Sequence, residues 1–169
     1  VVVRLTPAGS ELLERMREVE RAVAAVMYPP RGMRGVAGIT RASRFGMIDS
    51  YTARANDEIC LLVQVETAEG LANLESIAAV EGVDGVFIGP ADLATSMGYP
   101  GQPGVPEVRA AILDAIRRIR AAGKPAGILS LDQAFLREAV AAGTVFTAVD
   151  VDQAILLRGA RALAKDWKR

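Results

Sequence analysis

The sequence predicts a parallel α/β protein and, within that class, part of a (β/α)8 barrel. Apolar β-branched runs alternate with stretches of helical periodicity, in the order strand, helix, strand, helix, with short turns between them. Strand runs of this kind stay apolar until their ends, as parallel strands covered by helices do. Polar and charged residues gather at the carboxyl ends of these runs: Arg4, Gln64, Glu66, Asp92, Ser130, and Asp150 or Asp152. An open doubly wound sheet fits the alternation alone. The clustering favours a barrel, whose sites lie at the carboxyl ends of its strands.

Taken in order, Val1 to Leu5 is a β-branched strand, and Thr6 to Ser10 a turn leading to a helix cap at Ser10. Glu11 to Met27 has helical spacing, but its apolar stripes do not align. Leu12, Leu13 and Met16 form one stripe, and Val19, Val23 and Val26 continue it only loosely. A segment missing between Met16 and Arg17 would account for this. Tyr28-Pro29-Pro30 ends the helix. Val36 to Glu58 is a polar, glycine-bearing loop with helical turns near Ser50 to Asn56. A strand over Ile59 to Val65, a helix over Ala68 to Val80 and a strand over Val86 to Ile88 follow. Next come a short helix from Leu93 to Met97 and a longer one that Pro106 opens and Gly123 closes. Pro125 to Leu129 is a strand, a helix capped by Ser130 or Asp132 runs to Ala142, and Val145 to Val151 is the last strand. Asp152 caps the final helix, Ala154 to Lys165.

Composition excludes several classes. The 169 residues carry equal numbers of acidic and basic side chains, 20 of each, so no basic excess marks a nucleic-acid partner. Arg117, Arg118, Arg120 and Lys124 read as a solvated helix face. No apolar run reaches the ~18 residues of a membrane span. The single cysteine, Cys60, cannot form an internal disulfide, which suits a reducing cytoplasm. Opening an apolar strand, it reads as a buried thiol rather than a nucleophile. Histidine is absent from the sequence.

The chemistry concentrates in Ile59 to Met97. Glu66 follows one strand and Asp92 the next. Parallel strands joined by a crossover end on the same sheet edge, so the two carboxylates should face one mouth. Two hard oxygen donors with open positions outline a divalent-cation site. The alternative roles are a helix N-terminal charge for Glu66 and an N-cap for Asp92, either of which can coexist with metal binding.

The motifs YPPRGMRG (Tyr28 to Gly35), RASRFG (Arg41 to Gly46), LLVQVET (Leu61 to Thr67) and EGVDGVFIGPADLA (Glu81 to Ala94) closely resemble the HpcH/HpaI aldolase family. The resemblance implies a (β/α)8 barrel, a hexameric assembly and a class II pyruvate aldolase that uses Mg²⁺, Mn²⁺ or Co²⁺. By match, Glu66 and Asp92 are the metal ligands, and Arg4 holds the pyruvate oxygen and stabilises the enolate. Gln64, Gly89, Ala91 and Leu129 are substrate-binding, with backbone N–H groups of Gly89 and Ala91 offered to a carboxylate. The family's general base is a histidine at the end of a strand that this sequence lacks. Five strands of eight are present, so the chain is expected to be one barrel domain over residues 1–169, with strands absent before it and between residues 16 and 17. Where relatives read AVGVD, this chain has Asp150, a charge that could alter the pocket.

The expected reaction cleaves a 4-hydroxy-2-oxo acid to pyruvate and an aldehyde. No lysine sits at a strand end to form a Schiff base. The alternatives are an acyl-CoA lyase of the citrate lyase β or malyl-CoA lyase type, and a non-catalytic assembly subunit. Expected partners are a small 2-oxo acid and copies of the same chain.

Overall fold

The structure, a computed structural model, describes residues 2–4 and 12–167. The expected turn at Thr6 to Ser10 and the cap at Ser10 lie outside them. Five strands form one sheet: β1 (Val2–Arg4), β2 (Leu62–Val65), β3 (Gly85–Ile88), β4 (Ala126–Leu129) and β5 (Thr144–Ala148). Every pairing is parallel, and the order is β1-β2-β3-β4-β5. A doubly wound sheet reverses its strand order at a switch point. A sequential parallel order is that of a barrel arc.

The helices are α1 (Leu12–Val26), α2 (Tyr51–Glu58), α3 (Ala68–Ala72), α4 (Leu74–Ala79), α5 (Pro90–Ser96), α6 (Pro106–Ala121), α7 (Gln133–Ala142) and α8 (Asp152–Trp167). Their ends follow local chemistry. Pro106 opens α6 and Pro90 opens α5 at N1, where a missing N–H costs nothing. Asp132 caps α7, its Oδ1 accepting from Ala134 N and Phe135 N at 3.0 Å each. Gly143, at φ 116°, ends α7 in the left-handed region that glycine tolerates. α1 runs unbroken across Met16–Arg17, with Val19 buried and Val23 and Val26 half-buried.

One core lies between the sheet and its helices. Leu61, Val63 and Val65, then Val86 and Ile88, then Ala126 and Ile128 meet Leu74, Ile77 and Ala78 of α4 and Ile112, Ala115, Ile116 and Ile119 of α6. Each fully buried Leu or Ile contributes about 1.5–3 kcal/mol through apolar burial. By contrast, α8 contributes no buried residue.

Four expectations need correction. The strand expected from Ile59 begins only at Leu62, because Leu61 N donates to Asp84 Oδ2 at 2.6 Å and Leu61 O accepts from Asp84 N at 2.9 Å. Cys60 therefore precedes the ladder and is exposed, not buried. The single helix expected over Ala68 to Val80 is two, broken at Asn73 (φ −104°, ψ 13°). Asparagine competes for local backbone hydrogen bonds and weakens a helix interior. The basic face of α6 also does more than meet solvent. Arg118 bonds Glu75 and the Leu71 carbonyl, and Lys124 Nζ donates to the Val83 carbonyl at 2.5 Å.

Among the described residues, no helix is long and apolar enough to cross a membrane. Between α1 and α2 the chain folds back on itself. Asn56 clamps Tyr28 through both backbone groups, at 2.7 Å and 3.0 Å. Ser43, buried, uses its hydroxyl to bond four backbone groups of its own loop, accepting from Thr40 N and Gly46 N and donating to Gly38 O and Thr40 O.

Candidate active site

The site is built where β2 and β3 end. Backbone register sets its floor: Arg4 pairs with Gln64, Gln64 with Phe87, Phe87 with Gly127 and Gly127 with Phe146. One step beyond, Gly89 N donates to Val65 O at 3.2 Å, which draws the β3 end against the β2 end. The helices that follow are tied as well, because Ser96 Oγ of α5 accepts from Ala68 N of α3 at 3.0 Å. Thr67 caps α3 through its side chain.

Glu66 is buried, 8% exposed, in spite of its charge. Gln64 Nε2 donates to Glu66 Oε2 at 2.8 Å, so the amide braces the carboxylate. Both side chains lean across Gly89. A Cβ there would lie 2.6 Å from Gln64 Nε2, 2.8 Å from Glu66 Oε2 and 2.9 Å from Glu66 Cβ. Only glycine leaves that space. Asp92 occupies the first turn of α5, where the N-terminal backbone dipoles favour a negative charge. The N-cap position belongs to Gly89, so Asp92 is not the cap.

Gln64, Gly89, Ala91, Asp92 and Leu129, five of the residues singled out above, line one cavity of about 610 Å³. Glu66 is buried beside it, against Gly89. Arg4 is brought to the level of Gln64 by strand register; its side chain lies outside the described part of the structure. Leu131, Asp132 and Phe135 of the α7 entry complete the lining, with Phe87 and with Pro103 and Gly104 of the loop before α6. Sequence reasoning did not select these as site residues. The signal for Phe87 was its two-residue offset from Gly89 on one strand; α7 and the loop were brought in by packing alone.

Asp150 is turned away from this cavity. It pairs with Arg158 of α8, and the guanidinium holds its carboxyl below the usual carboxylate range. The pocket lining contains neither Asp150 nor Asp152.

Donor chemistry suits a hard divalent cation in one respect: Gln64 and Asp92 in the lining, and Glu66 beside it, offer oxygen ligands. Among the described residues no group of three or more His, Cys, Asp or Glu gathers to hold a metal. The buried Glu66 over the cleared space at Gly89 is the structural observation that fits an ion.

A sequential parallel sheet with carboxylates at its C-terminal edge defines the class, a (β/α)-barrel protein with its site at the top of the strands. The chain belongs to the HpcH/HpaI aldolase/citrate lyase family, whose model matches residues 12–158. It is 54% identical over 171 residues to a hydroxypyruvate/pyruvate aldolase of Sagittula stellata, with 98% of this chain and 68% of that protein covered. It is 59% identical over 152 residues to a pyruvate aldolase of Rhizobium etli, covering 90% of this chain and 60% of the relative. A crystal structure of a family member from Burkholderia cenocepacia superposes with a TM-score of 0.83 at 35% identity, covering 98% of this chain and 63% of that one. The chain thus spans about 60–68% of the length of these proteins.

Proposed function

We propose that this chain carries the metal and pyruvate half of a class II pyruvate aldolase, joining pyruvate to an aldehyde and cleaving the resulting 4-hydroxy-2-oxo acid. One observation carries the reading: the buried Glu66, braced by Gln64 over Gly89, beside a cavity that Asp92 lines. The names of the relatives support it, since they are aldolases acting on pyruvate or hydroxypyruvate.

Glu66 and Asp92 would hold the ion, Mg²⁺, Mn²⁺ or Co²⁺, which when bound supplies Lewis-acid stabilisation to negative charge on the 2-oxo acid. The backbone N–H groups of Gly89 and Ala91 orient the substrate carboxylate, Arg4 stabilises the enolate oxygen, and Leu129 packs against the pyruvate. In the forward addition, the pyruvate methyl carbon gives up a proton and bonds the aldehyde carbon, while the aldehyde oxygen takes a proton. Histidine is absent from these residues, so the general base is proposed to come from residues outside the 169. Those residues would complete the eight strands, a segment between Met16 and Arg17 among them. The greater lengths of the relatives support residues beyond the 169, and the full gene sequence tests both these and the segment between Met16 and Arg17.

We also place the protein in the cytoplasm and in a homo-oligomer, a hexamer by family resemblance. Support for association is the number of exposed apolar side chains on α8: Ile155, Leu156, Leu157, Leu163 and Trp167. Pyruvate release from a 4-hydroxy-2-oxo acid, assayed with and without EDTA, tests the function. Chelation and Asp92→Ala should each lower kcat/KM by at least about a hundredfold, as removal of a transition-state charge stabiliser does. Activity that survives full chelation refutes the proposal.

A further inference from the structure

A second space-keeping glycine lies in the sheet beneath the cavity. Gly127 is buried inside β4, and its backbone is not left-handed, so no turn calls for glycine there. An added Cβ would lie 2.7 Å from Phe87 Cδ2, 3.1 Å from the Phe146 carbonyl oxygen and 3.3 Å from Phe146 Cδ1. Two rings from the flanking strands thus converge over one missing side chain. Their centroids are 5.8 Å apart and their planes are tilted by 57°, an ordinary attractive aromatic geometry.

Gln64, Phe87, Gly127 and Phe146 are successive register partners across β2, β3, β4 and β5, so they share one face of the sheet. Val86 and Ile88, on either side of Phe87 in the chain, are buried in the core on the opposite face. Strand alternation therefore commits the Phe87 ring to the cavity, which it lines together with Gln64. Phe87 stands two residues before Gly89, one level below Glu66 and Asp92. It is floor rather than lip. The notch at Gly127 lets the ring lie across β4. A methyl group in that notch would meet backbone on its far side, so the ring would have to give and rise into the cavity.

We infer that Phe87 limits the size of the C3 substituent on the 2-oxo acid donor, and that Gly127 is the positioning residue that holds its ring down. The inference rests on the aldolase reading and deepens it by naming what bounds the donor class. A donor held by Glu66 and Asp92 lies directly above the Gln64–Phe87 row. The aldehyde must reach an open face of its enolate from the mouth. A C3 substituent lies in the enolate plane and takes the space that the Phe87 ring bounds. The addition is balanced: donor C3 loses a proton, a C–C bond forms as the acceptor C=O π bond breaks, and the new oxygen takes a proton.

The experiment gives the full chain Mn²⁺, glycolaldehyde as common acceptor, and either pyruvate or 2-oxobutanoate, which carries one more methyl group on C3. The readout is the kcat/KM for 2-oxobutanoate divided by that for pyruvate. Phe87→Val should raise this ratio about ten-fold and Gly127→Ala should lower it about ten-fold, the scale of one methylene in an apolar pocket. Phe87→Val added to Gly127→Ala should restore it, because the smaller side chain no longer meets the methyl group. A purely structural defect would slow both donors alike and leave the ratio in place. A ratio unmoved or lowered by Phe87→Val overturns the inference, and so does a Gly127→Ala defect that Phe87→Val does not relieve; both leave the aldolase reading intact. A wild-type chain that turns over neither donor overturns both.

Discussion

A methyl group on Gly89 would push directly into Gln64 and Glu66, at 2.6 Å and 2.8 Å. Gly89→Ala is therefore expected to cost about 1–3 kcal/mol in urea denaturation, the usual range for overpacking. It should also weaken Mn²⁺ binding, because the carboxylate it displaces is the buried one. Unchanged Mn²⁺ affinity in a folded Gly89→Ala protein would separate Glu66 from the metal. At this scale the two acids were legible in the sequence, since each directly follows an apolar run that ends on the same sheet edge. The requirement for glycine at 89 was not. It arises from Gln64 and Glu66 leaning in from another strand, a packing relation that no local pattern carries.

At the level of elements, the α4–α6 contact is pinned by a charge pair. Arg118 Nε donates to Glu75 Oε1 at 2.6 Å and its second nitrogen to Oε2 at 2.7 Å, a bidentate geometry. The Arg118 guanidinium lowers the Glu75 carboxyl from 4.5 to about 2. A depressed folded-state value stabilises the protein above pH 4.5 and loses that contribution as pH falls toward 2. Both side chains are partly solvated, at 32% and 55% exposed, so screening leaves about 0.5–1 kcal/mol. The stability gap between wild type and Glu75→Gln should be present at neutral pH and vanish across that acidic window in pH-dependent urea melts. The cap of α7 makes a second case: Asp132→Ala removes two amide bonds and should cost about 1 kcal/mol. Helix identities were readable from the 3.6-residue period, and Pro106 and Gly143 marked ends correctly. The break at Asn73, where the backbone leaves helical values with no side-chain cap bond, was not, nor was the late start of β2, where a distant acid outbids the local preference. Asp84 takes the Leu61 amide from a turn more than twenty residues away.

For the molecule as a whole, strand order decided between two folds that the alternation of elements left open. Each strand lies beside its successor in sequence, which makes the sheet an arc of a barrel. The same order puts the burial in the middle. β2, β3 and β4 carry the core, whereas α8 has no buried residue and its Trp167 is 83% exposed. Trp167 is the single tryptophan, so it reports on that face directly. If copies of the chain associate through α8, its emission should shift to shorter wavelength as protein concentration rises. Emission independent of concentration would remove α8 from the interface.

The cross-tie between Gly89 N and Val65 O sits at the top of that central sheet. Amides in such a position open only with large-scale unfolding, while those of a helix without buried contacts exchange through local fraying. In deuterium exchange followed by mass spectrometry, the segment around Val65 and Gly89 should be among the slowest to label and α8 among the fastest. The backbone that spaces the two carboxylates would then keep its geometry far longer than any catalytic turnover lasts. Motion needed to admit a substrate or release a product would have to come from the surrounding loops.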